Sequence, residues 1–476
     1  MPSGRLAEPT DLALDGLLGP TGPHILRAMS AAQEYLHGRS NADLLRAVGE
    51  EVASVPQVEH LGRDFLAGSL RGGAVPDLLA GRGLFFITED GKLFLDCTSG
   101  HYQMTWGYNH PDLNAAVVSA LQQGVVWDDH TSIPGNPVKR LAYKLVELAN
   151  PTDPGLPDCD PAGVLADPSA LNTVLLHVCT GSVACGAALK ITLGHYWRAK
   201  SQHGDPAIIV LDGNYHGTDM CAQRLRGMWP QLFGGLEVVP VQPNDEAELR
   251  RAFAERGERV AGFWAEPIMM NREAIWVRPE YLQAARALCD DVGALLTVDE
   301  IQTGFWVPEV FMFHQAGLRP DMVVVGKGMT AGFHPLSALL CRRELDFLET
   351  YDAISTNGHT PLPAYVALCS IALIESRREQ IARMGALLEQ RLRELAAEFP
   401  GLIAGAQGKG LLSGLKFRRV ADALAFHAGS VERGLWTRVH AYHEGHSTVL
   451  TKFALVVDEQ AVNFTATVFR ELLARL

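Results

Sequence analysis

Residues 323–333 read VVVGKGMTAGF, a run of valines that ends in a lysine held between two glycines. A solvated lysine needs no such setting. A short β-branched run reads as a strand buried on both faces of a parallel sheet. A lysine at its end, in apolar surroundings, has a lowered pKa and becomes a nucleophilic amine. Taken alone, Lys327 also reads as a residue that reaches from a helix start into water. Gly326 and Gly328 predict room for a flat ligand to lie against the amine.

The same pattern recurs upstream. LNTVLLHV (171–178), AIIVLD (207–212), VAGFWAE (260–266) and ALLTVD (294–299) are short apolar runs, and DMVVVG (321–326) completes the series. Helical patterns separate them, among them HPDLNAAVVSALQQG, GSVACGAALKITLGHYW and PEYLQAARALCDDV. Strands alternating with helices predict an α/β fold built on a parallel sheet. Upstream of these, LFFITEDGKLFLDC (84–97) predicts a hairpin with Asp90-Gly91 as its two turn residues. PTGPHILRAMSAAQEYL predicts a helix near the N-terminus, and ARMGALLEQRLRELAAEF a long amphipathic one near the C-terminus.

The chain has 476 residues, 47% of them hydrophobic and 20% charged, enough for a large buried core. A formal net charge of −13 argues against a nucleic-acid partner, which needs a basic face. No apolar run is long enough to span a membrane, and the first residues lack the basic-then-apolar pattern of a signal peptide. The eight cysteines are scattered with no CxxC pair, so reduced thiols, a cytoplasmic location and no metal are expected.

Ligands of an open parallel sheet bind at the carboxyl ends of its strands. Four features fall there. His177-Val178-Cys179-Thr180-Gly181-Ser182 leaves a strand and opens a helix, where free N–H groups and the helix dipole favour an anion. Asp299 ends a buried strand, where a carboxylate needs a cationic or donor partner. Asp212-Gly213-Asn214-Tyr215-His216-Gly217 places an aromatic pair between glycines. Lys327 supplies an amine. Each alone also reads as a cap, a salt bridge, a turn or a snorkelling lysine. Together, in this order, they are the parts that hold pyridoxal phosphate: a phosphate cradle, a carboxylate for the ring nitrogen, a ring to stack and an amine for the aldehyde.

From about Gly81 to the C-terminus the chain resembles the class III (ornithine/4-aminobutyrate-like) aminotransferases, of the fold type I pyridoxal phosphate enzymes. GRGLFFITEDGKLFLDCTSG, WGYNHP, TGSVACGAALK, NYHG, AEP, DEIQTGF, GKGMTAGFHPLSA, STNGHTPLPA and GKGLLSGLKF carry the resemblance, the Asp and Lys motifs most specifically. It implies a mostly parallel seven-stranded sheet in a large cofactor-binding domain, residues 111–345. A smaller α+β domain would comprise 81–110 and 346–476, and a helical extension residues 1–80. It implies catalytic roles for Lys327, as the Schiff-base lysine, and Asp299, at the ring nitrogen. Gly181 and Ser182 would bind phosphate, Tyr215 stack on the ring, and Gln302 bond its phenolic oxygen. Glu266 would lie near the substrate side. Thr356 would reach the phosphate of the other subunit of a homodimer.

The resemblance also implies ping-pong transamination of a small amine or amino acid. Another pyridoxal phosphate reaction (aminomutase, epimerase, lyase or carbon–carbon bond formation) is the alternative. The sequence also departs from the family pattern, most tellingly on the substrate side. Val183 and Cys185 replace the usual Glu and Asn, Trp306 follows DEIQTGF, and Gln407 replaces an Arg. In TVLTKFALV, Thr451 stands where an arginine for the substrate carboxylate is expected, with Lys452 beside it. Pocket candidates are therefore His101, Tyr102, Trp106, Arg272, Trp306, Arg438, Tyr442, His443 and His446. The stretch RVHAYHEGHST (438–448) is read as a polar substrate lid or solvated loop rather than a metal site.

Overall fold

The hairpin opens the described architecture. β1 (Leu78–Arg82), β2 (Phe85–Thr88) and β3 (Leu93–Asp96) form an antiparallel meander, with Phe85 opposite Leu95 and Ile87 opposite Leu93. The connection of β2 to β3 is longer than the predicted two residues. Thr88 N donates to Lys92 O at 3.1 Å, so Glu89, Asp90 and Gly91 form a three-residue loop, with Gly91 at φ 83°. A left-handed third position is the usual geometry of such loops and favours glycine.

The large sheet follows. Its strands are β4 (Thr173–Val178), β5 (Ala207–Leu211), β6 (Glu237–Val241), β7 (Val260–Ala265), β10 (Leu295–Asp299), β11 (Met322–Val325) and β12 (Ser337–Cys341); β8 (Ile268–Met269) and β9 (Ile275–Trp276) pair separately. The order is β4-β12-β11-β10-β7-β5-β6, with only β12 antiparallel to its neighbours. Five of these strands are the apolar runs read from sequence. β6 and β12 were missed. β6 reads EVVPV, a half-exposed edge strand whose Pro240 breaks the signal, and the edge is where a strand tolerates proline. β12 follows Pro335 closely and is only five residues long, although fully buried. The α/β, mostly parallel seven-stranded sheet implied by the resemblance is the fold of this chain. The computed structural model describes residues 14–58, 63–68, 77–129, 133–150, 161–349, 351–440 and 445–476.

A second four-stranded sheet combines β13 (Ile403–Lys409), β14 (Leu412–Phe417), β16 (Arg438–Val439) and β17 (Thr448–Lys452), in the order β13-β14-β17-β16. β15 (Leu435–Trp436) pairs in parallel with β3 and ties this part to the first hairpin. Helices Gly22–His37 and Asn41–Ala47 precede β1; the second has a capping box in which Ser40 and Asp43 bond reciprocally.

After β3 the backbone makes a left-handed turn. Ser99, Gly100, His101 and Tyr102 have φ of 51°, 57°, 68° and 69°. Each non-glycine residue there costs about 1–2 kcal/mol. Asp96 holds the turn: its carboxylate accepts from Thr98 N and Gly100 N at 2.7 Å, Thr98 Oγ1 at 2.9 Å and Tyr108 Oη at 3.0 Å. Ser99 Oγ donates to Lys452 O at 2.5 Å, joining the turn to β17.

Candidate active site

The parallel strands β4, β5, β7, β10 and β11 end on one edge of the large sheet, and the residues singled out from sequence follow those ends. Lys327 comes directly after β11 and begins a short 3-10 turn, with φ 42°. A non-glycine residue in that region is strained and persists where its surroundings over-determine it. Burial lowers the Lys327 pKa to about 8, against the opposing charges of Asp299 and Glu266 and with the help of Arg438. The flanking glycines do not hold space open for a ligand. A Cβ on Gly326 would come within 2.6 Å of Ser337 Oγ, and one on Gly328 within 2.6 Å of Thr105 Oγ1 and closer still to the Trp306 ring. The room they create is filled by the protein, which locks the lysine's backbone.

Asp299 ends β10 and is buried. Its Oδ1 accepts from Ile301 N at 2.9 Å, and its Oδ2 lies 2.8 Å from His216 Nδ1 and 3.6 Å from Cys185 Sγ. Burial alone would lower the His216 pKa, but the hydrogen bond and charge of Asp299, with Glu266, raise it. Burial pushes the Cys185 thiol well up, aided by Asp299, so it is a protonated donor. His216 and Cys185 went unassigned in the sequence reading. The cue available was a histidine in NYHG beside an expected anion, but only the fold brings it to Asp299. Cys185, His216 and Asp299 are also near enough together to suggest metal ligands. The contacts of His216 and the thiol with Asp299 account for that closeness.

Glu266 follows β7, and burial raises its pKa to about 7, opposed chiefly by His216. Its Oε1 accepts from Tyr215 N at 2.8 Å, which anchors the aromatic turn after β5. Gln302 Nε2 donates to Asn271 Oδ1 at 2.8 Å and lies 3.5 Å from Glu266 Oε2. Gln302 Oε1 is buried without a partner among the described residues. Thr180, Gly181 and Ser182 open the helix Gly181–Ala199, where Thr180 accepts from Val183 N. Ser182 Oγ accepts from Thr218 N at 3.0 Å. Gly217, at φ 127°, lets the aromatic turn approach this helix start; a Cβ there would lie 2.9 Å from Ser182 Cα. The helix start in turn packs on Ile301, since a Cβ on Gly181 would meet its Cδ1 at 2.6 Å. Thr356 is exposed, in a loop that rests on the end of β4 through Ser355 N and His177 O at 2.8 Å.

On the substrate side β17 corrects the expectation about Thr451. Thr451 turns away from the site and donates to Ser413 O at 3.0 Å. Lys452, on the other face, is fully buried; its Nζ donates to Gln302 O at 2.6 Å and Tyr102 O at 3.3 Å and lies 3.5 Å from the Trp306 ring centroid. Burial lowers its pKa far below the usual range, and Lys327 adds to the effect. It is thus a brace between two backbone segments and the indole. Three other pocket candidates are likewise committed. Arg272 bonds Asp212 O and pairs with Asp212 Oδ2 at 2.8 Å. Trp106 donates to Ser370 Oγ at 3.0 Å, and Trp306 to Phe453 O at 3.2 Å. Tyr442 and His443 lie outside the described residues.

The fold recurs in known structures. An aminotransferase of Bacillus anthracis superposes with a TM-score of 0.73 at 22% identity, over 87% of this chain and 97% of that one. The ornithine aminotransferase of Toxoplasma gondii gives 0.73 at 21%, over 87% and 93%. In sequence, the putrescine aminotransferase of Pectobacterium atrosepticum is 29% identical over 73% of this chain and 72% of its own length. An acetylornithine aminotransferase of Xanthomonas campestris pv. campestris is 30% identical over 74% and 81%. Relatives named for amino-group transfer make transamination the reaction class of this chain and do not favour the aminomutase, epimerase or lyase alternatives. A family model described as aminotransferase class-III matches residues 76–473, most of the sequence, and the chain therefore belongs to the class III aminotransferases.

Proposed function

We propose that this enzyme moves an amino group between small amines or amino acids and their carbonyl counterparts by a ping-pong reaction, with pyridoxal phosphate held at Lys327. The observation that carries the reading is a half-buried amine of lowered pKa among the buried carboxylates of Asp299 and Glu266, all at the carboxyl edge of one sheet. The residues present fit the cofactor. A 19-residue helix offers its N-terminus and the Ser182 hydroxyl for a phosphate. Asp299, oriented by Ile301 N and His216, is a buried carboxylate suited to a protonated ring nitrogen. Gln302 Oε1 and His216 Nε2 are buried polar atoms without partners among the described residues.

When bound, the cofactor supplies an aldehyde and a ring that draws electrons from the substrate's α-carbon. The protein's part is positional and acid–base. Lys327 Nζ, with its pKa near neutrality, accepts and returns a proton beside that carbon. Asp299 would hold the ring nitrogen, its oxygens fixed by Ile301 N, His216 and Cys185. Tyr215, anchored through Glu266, would stack on the ring, and Trp306 and Lys452 would help exclude water beneath the site. Lys327→Ala should abolish the visible absorbance band of the bound cofactor and lower turnover by about 10²–10⁴-fold. A wild-type protein that never develops the band, or that no amine donor in a broad panel can bleach, would overturn the reading.

The same reading makes the enzyme a homodimer with Thr356 acting on its partner's phosphate site. Exposed Trp127, Phe333 and Thr356 support it, together with a cavity of about 430 Å³ lined by Val117, Leu121, Trp127, Phe333, Asn357 and Leu362. An apolar surface of that kind fits an interface. Hybrid dimers of Lys327→Ala and Thr356→Ala subunits test the arrangement. Contribution in trans regenerates one intact site per hybrid, whereas contribution in cis regenerates none. A cytoplasmic location belongs to the same reading; it is supported by seven unpaired cysteines among the described residues. No helix among them is long and apolar enough to cross a membrane.

A further inference from the structure

The register of the second sheet decides which face Arg438, one of the pocket candidates, presents. β16 pairs antiparallel with β17, Arg438 opposite Leu450 and Val439 opposite Val449. Paired residues point to the same face of a sheet, and the face alternates along each strand. Arg438 therefore shares a face with Leu450 and Lys452, the face from which Lys452 reaches Gln302 O. Thr451 and Val449 take the other.

Three basic side chains converge here, and their commitments differ. Lys327 is the reactive amine of the proposed function. Lys452 is bound to two carbonyls and lies over an indole. The Arg438 Nε is buried with no hydrogen-bond partner among the described residues. Its charge is felt at Lys327, His101, His427 and His440. No ion pair of Arg438 is found among the described residues, a costly state for a partly buried guanidinium, and its planar fork suits a carboxylate. The imidazoles beside it do not supply the missing negative charge. Burial, followed by the charge of Arg438, lowers His101 to about 4 and His440 to about 3, so both are neutral near pH 7. A neutral imidazole offers one donor and adds no repulsion.

We propose that Arg438, flanked by His101 and His440 on the face shared with Lys452, binds a carboxylate of the substrate. This rests on the transaminase reading and narrows it to amino acids and oxo acids over simple amines. The carboxylate-binding role expected at Thr451 in β17 passes to the neighbouring strand.

The test uses the holoenzyme, whose phosphate site is filled, and glutarate, a dicarboxylate with no amine. Calorimetric titration should show glutarate binding to the wild type and glutaramide, its neutral analogue, binding much more weakly. Arg438→Met should weaken glutarate by about 10–100-fold while the cofactor band persists, because a charged hydrogen-bond donor has been removed. Arg438→Lys should recover part of the loss. Equal glutarate affinity in wild type and Arg438→Met, or equal affinity of the wild type for glutarate and glutaramide, would overturn the assignment. Failure of the transaminase reading itself appears separately, as a wild type with no cofactor band before any titration.

Discussion

At the scale of single residues, Lys327 combines two departures: a left-handed backbone and a pKa lowered by burial. With the pKa near 8, the neutral amine forms as pH rises through about 8, well below the ordinary lysine value of 10.5. In the cofactor-free protein, borohydride trapping of an aromatic aldehyde at Lys327 should therefore rise with a midpoint near pH 8. A midpoint above 10 would remove the physical basis of its reactivity. Asp299 and Glu266 hold the value up, so Glu266→Gln should move the midpoint lower still. The positions of Lys327 and Asp299 were legible in the sequence because each ends an apolar run. Thr451 and Lys452 were not: neighbouring strand residues face opposite ways, and only the pairing of β17 with β14 and β16 decides which one meets the site.

At the scale of elements, the turns at the strand ends fix the site. The turn after β11 depends on Gly328, against which Trp306 and Thr105 pack. Gly328→Ala should destabilise the protein by about 1–3 kcal/mol, read as a lower midpoint of denaturant unfolding at unchanged slope. Its cofactor absorbance should also be perturbed, since Trp306 and Lys452 must shift. An unchanged midpoint would show that the close packing does not constrain the turn. Several periodic helices and all the fully buried strands of the large sheet but β12 were readable from pattern alone; the helix Pro279–Val292 begins and ends where its proline and Gly293 predict. The left-handed turn at 99–102 was not readable. Three of its four residues disfavour that conformation, and Asp96 and the carbonyl of Lys452, which hold it, are partners the local sequence does not announce.

At the scale of the whole molecule, burying carboxylates makes stability depend on pH. Burial raises Glu266 and Glu300 to about 7 from an ordinary 4.5. A raised pKa means the folded state holds the proton more tightly. That stabilisation is complete below about 4.5 and is lost as pH rises through about 7. The Tm of the cofactor-free protein should fall between pH 5.5 and 7.5 by more in the wild type than in Glu266→Gln, measured by calorimetry; parallel curves would contradict the assignment. The sequence by itself determined the fold class, five of the seven strands, and the placing of Lys327 and Asp299 at the ends of two of them. These follow from local hydrophobic period. The tertiary structure alone decided the partners of Asp299, the brace formed by Lys452 and the sheet face that Arg438 shares with it. Each depends on which strand lies beside which and in what register, a property set by packing between segments remote in the chain.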